Sequence, residues 1–164
     1  MTRIPSRRAG LAGIAALLAL AAGCTPPPAA PAPPGARLAG EVSGWLSYLG
    51  GPCPTGQNFR RVLTLQVEAP EPSELIVDVC EVNTTAHGGA PARGGFELRT
   101  PDGTLQGTAT GSWGWSYKDV LNVELDVSIA RGELWDVNGS FQLHAEVERF
   151  DPIDSVSGEL TALD

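Results

Sequence analysis

Few side chains in this 164-residue chain are suited to covalent or acid–base chemistry: three cysteines (Cys24, Cys53, Cys80) and two histidines (His87, His144). Histidine is the usual general base near neutral pH. His87 lies in Thr84-Thr85-Ala86-His87-Gly88-Gly89, where glycine gives a mobile loop, and it is the candidate for catalysis or ligand contact. His144 alternates with apolar neighbours and reads as a solvated surface residue. In Trp113-Gly114-Trp115-Ser116-Tyr117, the side chains of Trp113, Trp115 and Tyr117 share one face of an extended chain. Flat side chains so spaced either stack on a sugar or an apolar ligand, or plug the end of a barrel, and Trp45, Tyr48 and Trp135 would join either cluster. No Gly-x-Ser-x-Gly elbow, phosphate loop, His-Glu-x-x-His or calcium loop occurs, so no catalytic residue, cofactor or metal site is assigned.

Charge narrows the partners. Three of the 11 basic residues precede Cys24, whereas all 19 acidic residues follow it, leaving eight against 19, or about −11, after the cysteine. Such a surface repels phosphates and anionic lipid. A nucleic-acid role is disfavoured, and a cationic partner or simple colloidal solubility is favoured.

The first 23 residues have the layout of a secretory signal peptide: Arg3, Arg7 and Arg8, then the uncharged Ala9 to Ala22, then small residues before Cys24. The apolar stretch is about 14 residues, short of the roughly 20 that a transmembrane helix needs. Leu20-Ala21-Ala22-Gly23-Cys24 resembles the lipobox of bacterial lipoproteins, although Leu stands one place further from the cysteine than the usual pattern and Ala21 occupies its position. The resemblance implies cleavage before Cys24, acylation of its thiol and new amino terminus, and a membrane anchor there. Several acyl chains on one residue anchor stably where one is marginal. Thr25, in place of Asp, resembles cargo sorted to an outer membrane where two membranes exist; otherwise the outer face of the cell membrane is implied. Residues 24–39 then form a linker, with the proline-rich TPPPAAPAPPG of Thr25 to Gly35 extended as polyproline II and spanning about 30 Å. With Cys24 acylated, Cys53 and Cys80 remain as an even pair in an exported chain, which implies a structural disulfide.

These residues must be positioned by residues 40–164, where apolar and polar residues alternate and no long window carries a helical period. The expectation is an all-β domain of about eight strands: Gly40 to Leu49, Arg60 to Glu68, Glu74 to Val82, Gly95 to Thr100, Thr104 to Ser112, Leu121 to Ile129, Phe141 to Val147 and Ser155 to Ala162. Leu121, Val123, Leu125, Val127 and Ile129 are expected inward, as are Phe141, Leu143, Ala145 and Val147. Pro101-Asp102-Gly103 and Asp151-Pro152-Ile153-Asp154 read as turns. Short connections make the strands antiparallel neighbours, closing into a small barrel, with a β-sandwich as the alternative. The apolar inward positions and the outward Glu97, Glu124, Asp126, Glu146 and Glu159 argue against an interior active site.

Gly95-Phe96-Glu97-Leu98, Asp102-Gly103, Leu105-Gln106-Gly107-Thr108 and Gly139-Ser140-Phe141-Gln142-Leu143 resemble the repeats of small exported bacterial domains grouped with the allene oxide cyclase barrel. That resemblance spans less than half the chain. It implies a barrel and an apolar cavity, and matches no catalytic position of the cyclase. The expected function is therefore a non-enzymatic, monomeric envelope lipoprotein presenting a barrel that binds a small apolar ligand. The alternatives are a protein-binding module or inhibitor directed at a cationic envelope protein, and, third, an isomerase-like enzyme with His87 near the aromatic group.

Overall fold

The structure is a computed structural model that describes residues 38–49, 53, 59–69, 71–81, 89–115, 119–149 and 154–163. Eight strands follow one another: β1 (Gly40–Leu49), β2 (Phe59–Ala69), β3 (Glu71–Glu81), β4 (Ala90–Thr100), β5 (Gly103–Trp115), β6 (Asp119–Gly132), β7 (Ser140–Glu148) and β8 (Asp154–Leu163). Each pairs antiparallel with the next, and β8 pairs back onto β1, so the sheet closes. The barrel, not the sandwich, is the fold. Closure leaves no unpaired strand edge to seed aggregation.

Alternation builds the core. Leu63, Leu65 and Val67 of β2, Leu75, Val77 and Val79 of β3, Leu121, Val123 and Leu125 of β6, and Leu143 and Leu160 of β7 and β8 are all buried. Each fully buried side chain of this kind contributes about 1.5 to 3 kcal/mol relative to exposure. The outer wall carries Glu, Ser, Thr and Arg instead, the reverse of a barrel that faces lipid. Among the described residues, no helix is long and apolar enough to cross a membrane.

One expected inward position is corrected. Ile129 is 44% exposed, because the β5–β6 register shifts between Gln106 and Gly107: Gly107 pairs with Val127 and Gln106 with Ile129, which leaves Ser128 unmatched. One extra residue on one strand reverses which face its successors occupy. Ala130 takes the inward place and packs on the core. Gly107 sits where the strands crowd: a Cβ there would lie 2.8 Å from a ring carbon of Phe96 and closer still to the carbonyl oxygen of Asp126. The bend is built where no side chain stands in its way.

The two ends of the barrel differ. At the base, the 133–139 connection folds Leu134 and Val137 into the core, and Leu38 is buried as well. The expected turn at Pro101-Asp102-Gly103 is also there, with Thr100 Oγ1 accepting from the amides of Asp102 and Gly103. At the other end, here called the mouth, β1, β3, β5 and β7 finish and β2, β4, β6 and β8 begin. The disulfide between Cys53 and Cys80 ties the β1–β2 connection to the end of β3. Residues 151–153 of the second expected turn, and Val82 of the third expected strand, lie outside the described residues.

Candidate functional site

The innermost polar group lies at the mouth. Arg61 of β2 and Glu81 of β3 continue the inward alternation of Leu63-Leu65-Val67 and Leu75-Val77-Val79, so the last inward place on each strand holds a charge. Their side chains are 3% and 2% exposed, and Arg61 Nη2 donates to Glu81 Oε1 at 2.6 Å. The guanidinium carbon of Arg61 lies 4.3 Å from the centre of the Trp113 ring, close enough for cation–π attraction. Asp119, inward at the start of β6 and buried, accepts from Arg149 Nε and Nη2 through one oxygen. The interior is thus almost wholly apolar below, with Ser73 near the base, and ionic in its uppermost layer; the apolar inward set expected of the clearest strands does not extend to Arg61 and Glu81 of β2 and β3. Extending the alternation of β2 and β3 by one step would have placed both charges indoors.

Trp113 has no exposed surface and belongs to the core. The backbone of Trp115 is in β5, but its side chain, like Tyr117, His87 and the acylation candidate Cys24, lies outside the described residues. In sequence, His87 falls between β3 and β4 and Tyr117 between β5 and β6. Cys53 and Cys80 are bonded as expected. Trp135 is three-quarters exposed on the base connection, remote in the chain fold from the mouth.

A second concavity lies on the outer wall, where Glu41, Val42, Ser43, Glu68, His144, Ser157, Gly158 and Glu159 line a groove of about 550 Å³. Register explains the grouping. Glu41 faces Glu159 across β1–β8, Glu159 faces His144 across β7–β8, and His144 faces Asn122 across β6–β7. Glu68 follows Val67, the partner of Val42, and so extends the same row on β2. Gly158 contributes no side chain, and Val42 is turned inward and buried. His144 Nδ1 lies 2.7 Å from Asn122 Oδ1, a hydrogen-bond distance. Its Nε2 is 3.9 Å from Glu146 Oε1. Trp45, 44% exposed, stands at the next outward place beyond Ser43 on β1.

The wall from β2 to β4 is different. Arg60 forms a two-point pair with Asp78, and Arg99 bridges Glu97 and Glu74. The hydrogen bond from Arg99 holds the Glu97 carboxyl below the usual carboxylate range, and the hydrogen bond to Asp78 raises Arg60 further. β7, β8 and β1 contain no Arg or Lys at all, while Glu41, Glu146, Glu148 and Glu159 project from them. Like charges directly opposite in a sheet, as Glu41 and Glu159 are, cost stability. Among the described residues no group of three or more His, Cys, Asp or Glu is arranged to hold a metal ion. No known protein family matches the chain, and no match was found among curated proteins or solved structures.

Proposed function

We propose that this chain is an exported lipoprotein, anchored through Cys24 and spaced from the membrane by its proline-rich linker, whose barrel is a non-catalytic domain that binds a cationic partner protein on its acidic wall. The observation that carries the reading is the separation of charge: Arg60 and Arg99 pair with Asp78, Glu74 and Glu97 of β3 and β4, whereas Glu41 and Glu159 face each other on strands that contain no lysine or arginine. Carboxylates on a wall that also exposes Trp45 suit lysine and arginine, through ion pairing and cation–π contact. The interior favours this reading over an apolar-ligand carrier, because the inward leucines of β2, β3, β5 and β6 are packed against one another with no exposed surface.

The test is binding of a hepta-arginine peptide to the full chain at low and physiological salt. Glu41→Gln with Glu159→Gln is expected to weaken binding several-fold, and added salt to weaken it further, while Glu74→Gln with Glu97→Gln leaves it nearly unchanged. Equal effects of the two pairs would remove the acidic wall as the binding face. Anchoring is tested separately: intact-mass measurement of the envelope protein is expected to show cleavage before residue 24 and a diacylglyceryl adduct that Cys24→Ser abolishes. An unmodified mass would sink the anchor without touching the binding face.

A further inference from the structure

Among the described residues, a buried acceptor, Glu81 Oε2, and a buried donor, Trp113 Nε1, stand at the mouth without a hydrogen-bond partner. Both side chains are at least 98% buried. An orphaned buried donor or acceptor loses its hydration without compensation, so native proteins keep few of them and each calls for a partner; Arg61 joins the two residues, 2.6 Å from the Glu81 carboxylate and 4.3 Å from the centre of the Trp113 ring. Register shows where that partner would sit. Glu81 faces Ala92 across β3–β4, Ala92 faces Gly111 across β4–β5, and Ala90 faces Trp113. Among the described residues, the wall between the strands of the carboxylate and the indole therefore presents the methyl groups of Ala90 and Ala92 and the glycine Gly111. Arg61 covers the ring and already neutralises the carboxylate.

We propose that Glu81 and Trp113 form a seat for one neutral hydroxyl group inside the barrel mouth. The group accepts from Trp113 Nε1–H and donates to Glu81 Oε2. A single oxygen can do both, which an ammonium or a carboxylate cannot. A charged guest would also unbalance the Arg61–Glu81 pair in a low-dielectric interior. The hydroxyl has two sources, solvent water or the hydroxyl of a small alcohol or polyol that enters at the mouth. This seat is independent of the acidic wall, and its loss would leave the binding of cationic partners unaffected.

The experiment is NMR of the 15N-labelled full chain, read at the Trp113 indole N–H. A long-lived water cross-peak at that proton identifies a water guest. A saturable shift on titration with ethylene glycol identifies an organic hydroxyl. Absence of both overturns the proposal. A second arm builds the hydroxyl into the chain. Ala92→Ser adds one beside the seat, and Ala109→Ser adds one in the aliphatic layer, where Ala109 is fully buried and faces Gly94 and Leu125. The seat requires that Ala92→Ser move the Trp113 indole signal and lower Tm clearly less than Ala109→Ser does. Equal losses of Tm with the indole signal unmoved would overturn it.

Discussion

Two ion pairs join the same two strands one residue apart, Arg60 with Asp78 on the outer face of the barrel and Arg61 with Glu81 on the inner face. The outer pair is more than one-third exposed, so water and salt already solvate its charges and the pair adds little. The inner pair has been taken out of water. Its members hold each other in place chiefly because neither can be left alone, and an apolar replacement of both would serve stability as well or better. Alternation decides which regime a charge enters: one step along β2 moves an arginine from a near-neutral site to one where its loss is severe.

Breaking the inner pair is the sharpest way to test that contrast. Arg61→Met leaves Glu81 buried without its cation and is expected to cost about 3 to 5 kcal/mol of unfolding free energy in urea titrations. Adding Glu81→Leu to Arg61→Met should recover most of the loss, since the uncompensated charge goes with it. A loss below about 1 kcal/mol in the single variant, near the ceiling for exposed pairs, would mean that the inner pair is solvated like the outer one.

The next effect comes from the bridge at the mouth. Cys80 belongs to the outward set of β3, between Asp78 and the strand end, yet it is buried. The disulfide to Cys53 gives it inner-face burial on the outer side. Replacing both cysteines with alanine opens a 28-residue loop and is expected to cost about 3 to 4 kcal/mol on the chain-entropy account. The same change should raise hydrogen exchange at the mouth ends of β2 and β3 while sparing the base. Uniform acceleration around the barrel would show that the bridge supports the whole fold and not this end.

The inner face was largely legible in the sequence, and the site on the outer face was not. Leu121-Val123-Leu125 and Phe141-Leu143-Ala145-Val147 announce their facing by alternation alone, and all seven are buried. The pattern failed where backbone count, not residue type, sets the face: Ser128 is the extra residue that turns Ile129 outward, and nothing in Val127-Ser128-Ile129 marks it. The expected strands on β2 and β3 already held Arg61 and Glu81, and it is the alternation of Leu63-Leu65-Val67 and Leu75-Val77-Val79, carried one step further, that puts both charges on the inner face. The groove depends on β8 returning to β1, which brings Glu41 beside Glu159 from opposite ends of the domain. Sequence patterning shows that each is outward and leaves their adjacency unstated, because closure is a property of the whole barrel.

The smallest expected effect lies wholly on the outer face, and its signature is pH dependence. Arg99 donates to Glu97 at 2.7 Å, and that hydrogen bond is the main reason the Glu97 carboxyl titrates below its ordinary range. Partial desolvation opposes the shift, while the charges of Arg99 and Arg131 and a hydrogen bond from Gln106 add to it. A carboxyl whose pKa is lower in the folded state binds fewer protons there than in the unfolded chain. Its contribution is therefore complete above the unfolded carboxylate pKa and is lost as pH falls through the folded one. Arg99→Gln should thus lower Tm slightly at pH 7, and the difference from the parent chain should vanish below the carboxylate range. Solvent around the half-exposed guanidinium keeps the effect far smaller than that of Arg61→Met. If instead the two substitutions proved equal in size at pH 7, burial would not be what separates the two faces, and the contrast between the ion pairs of β2 and β3 would fail with it.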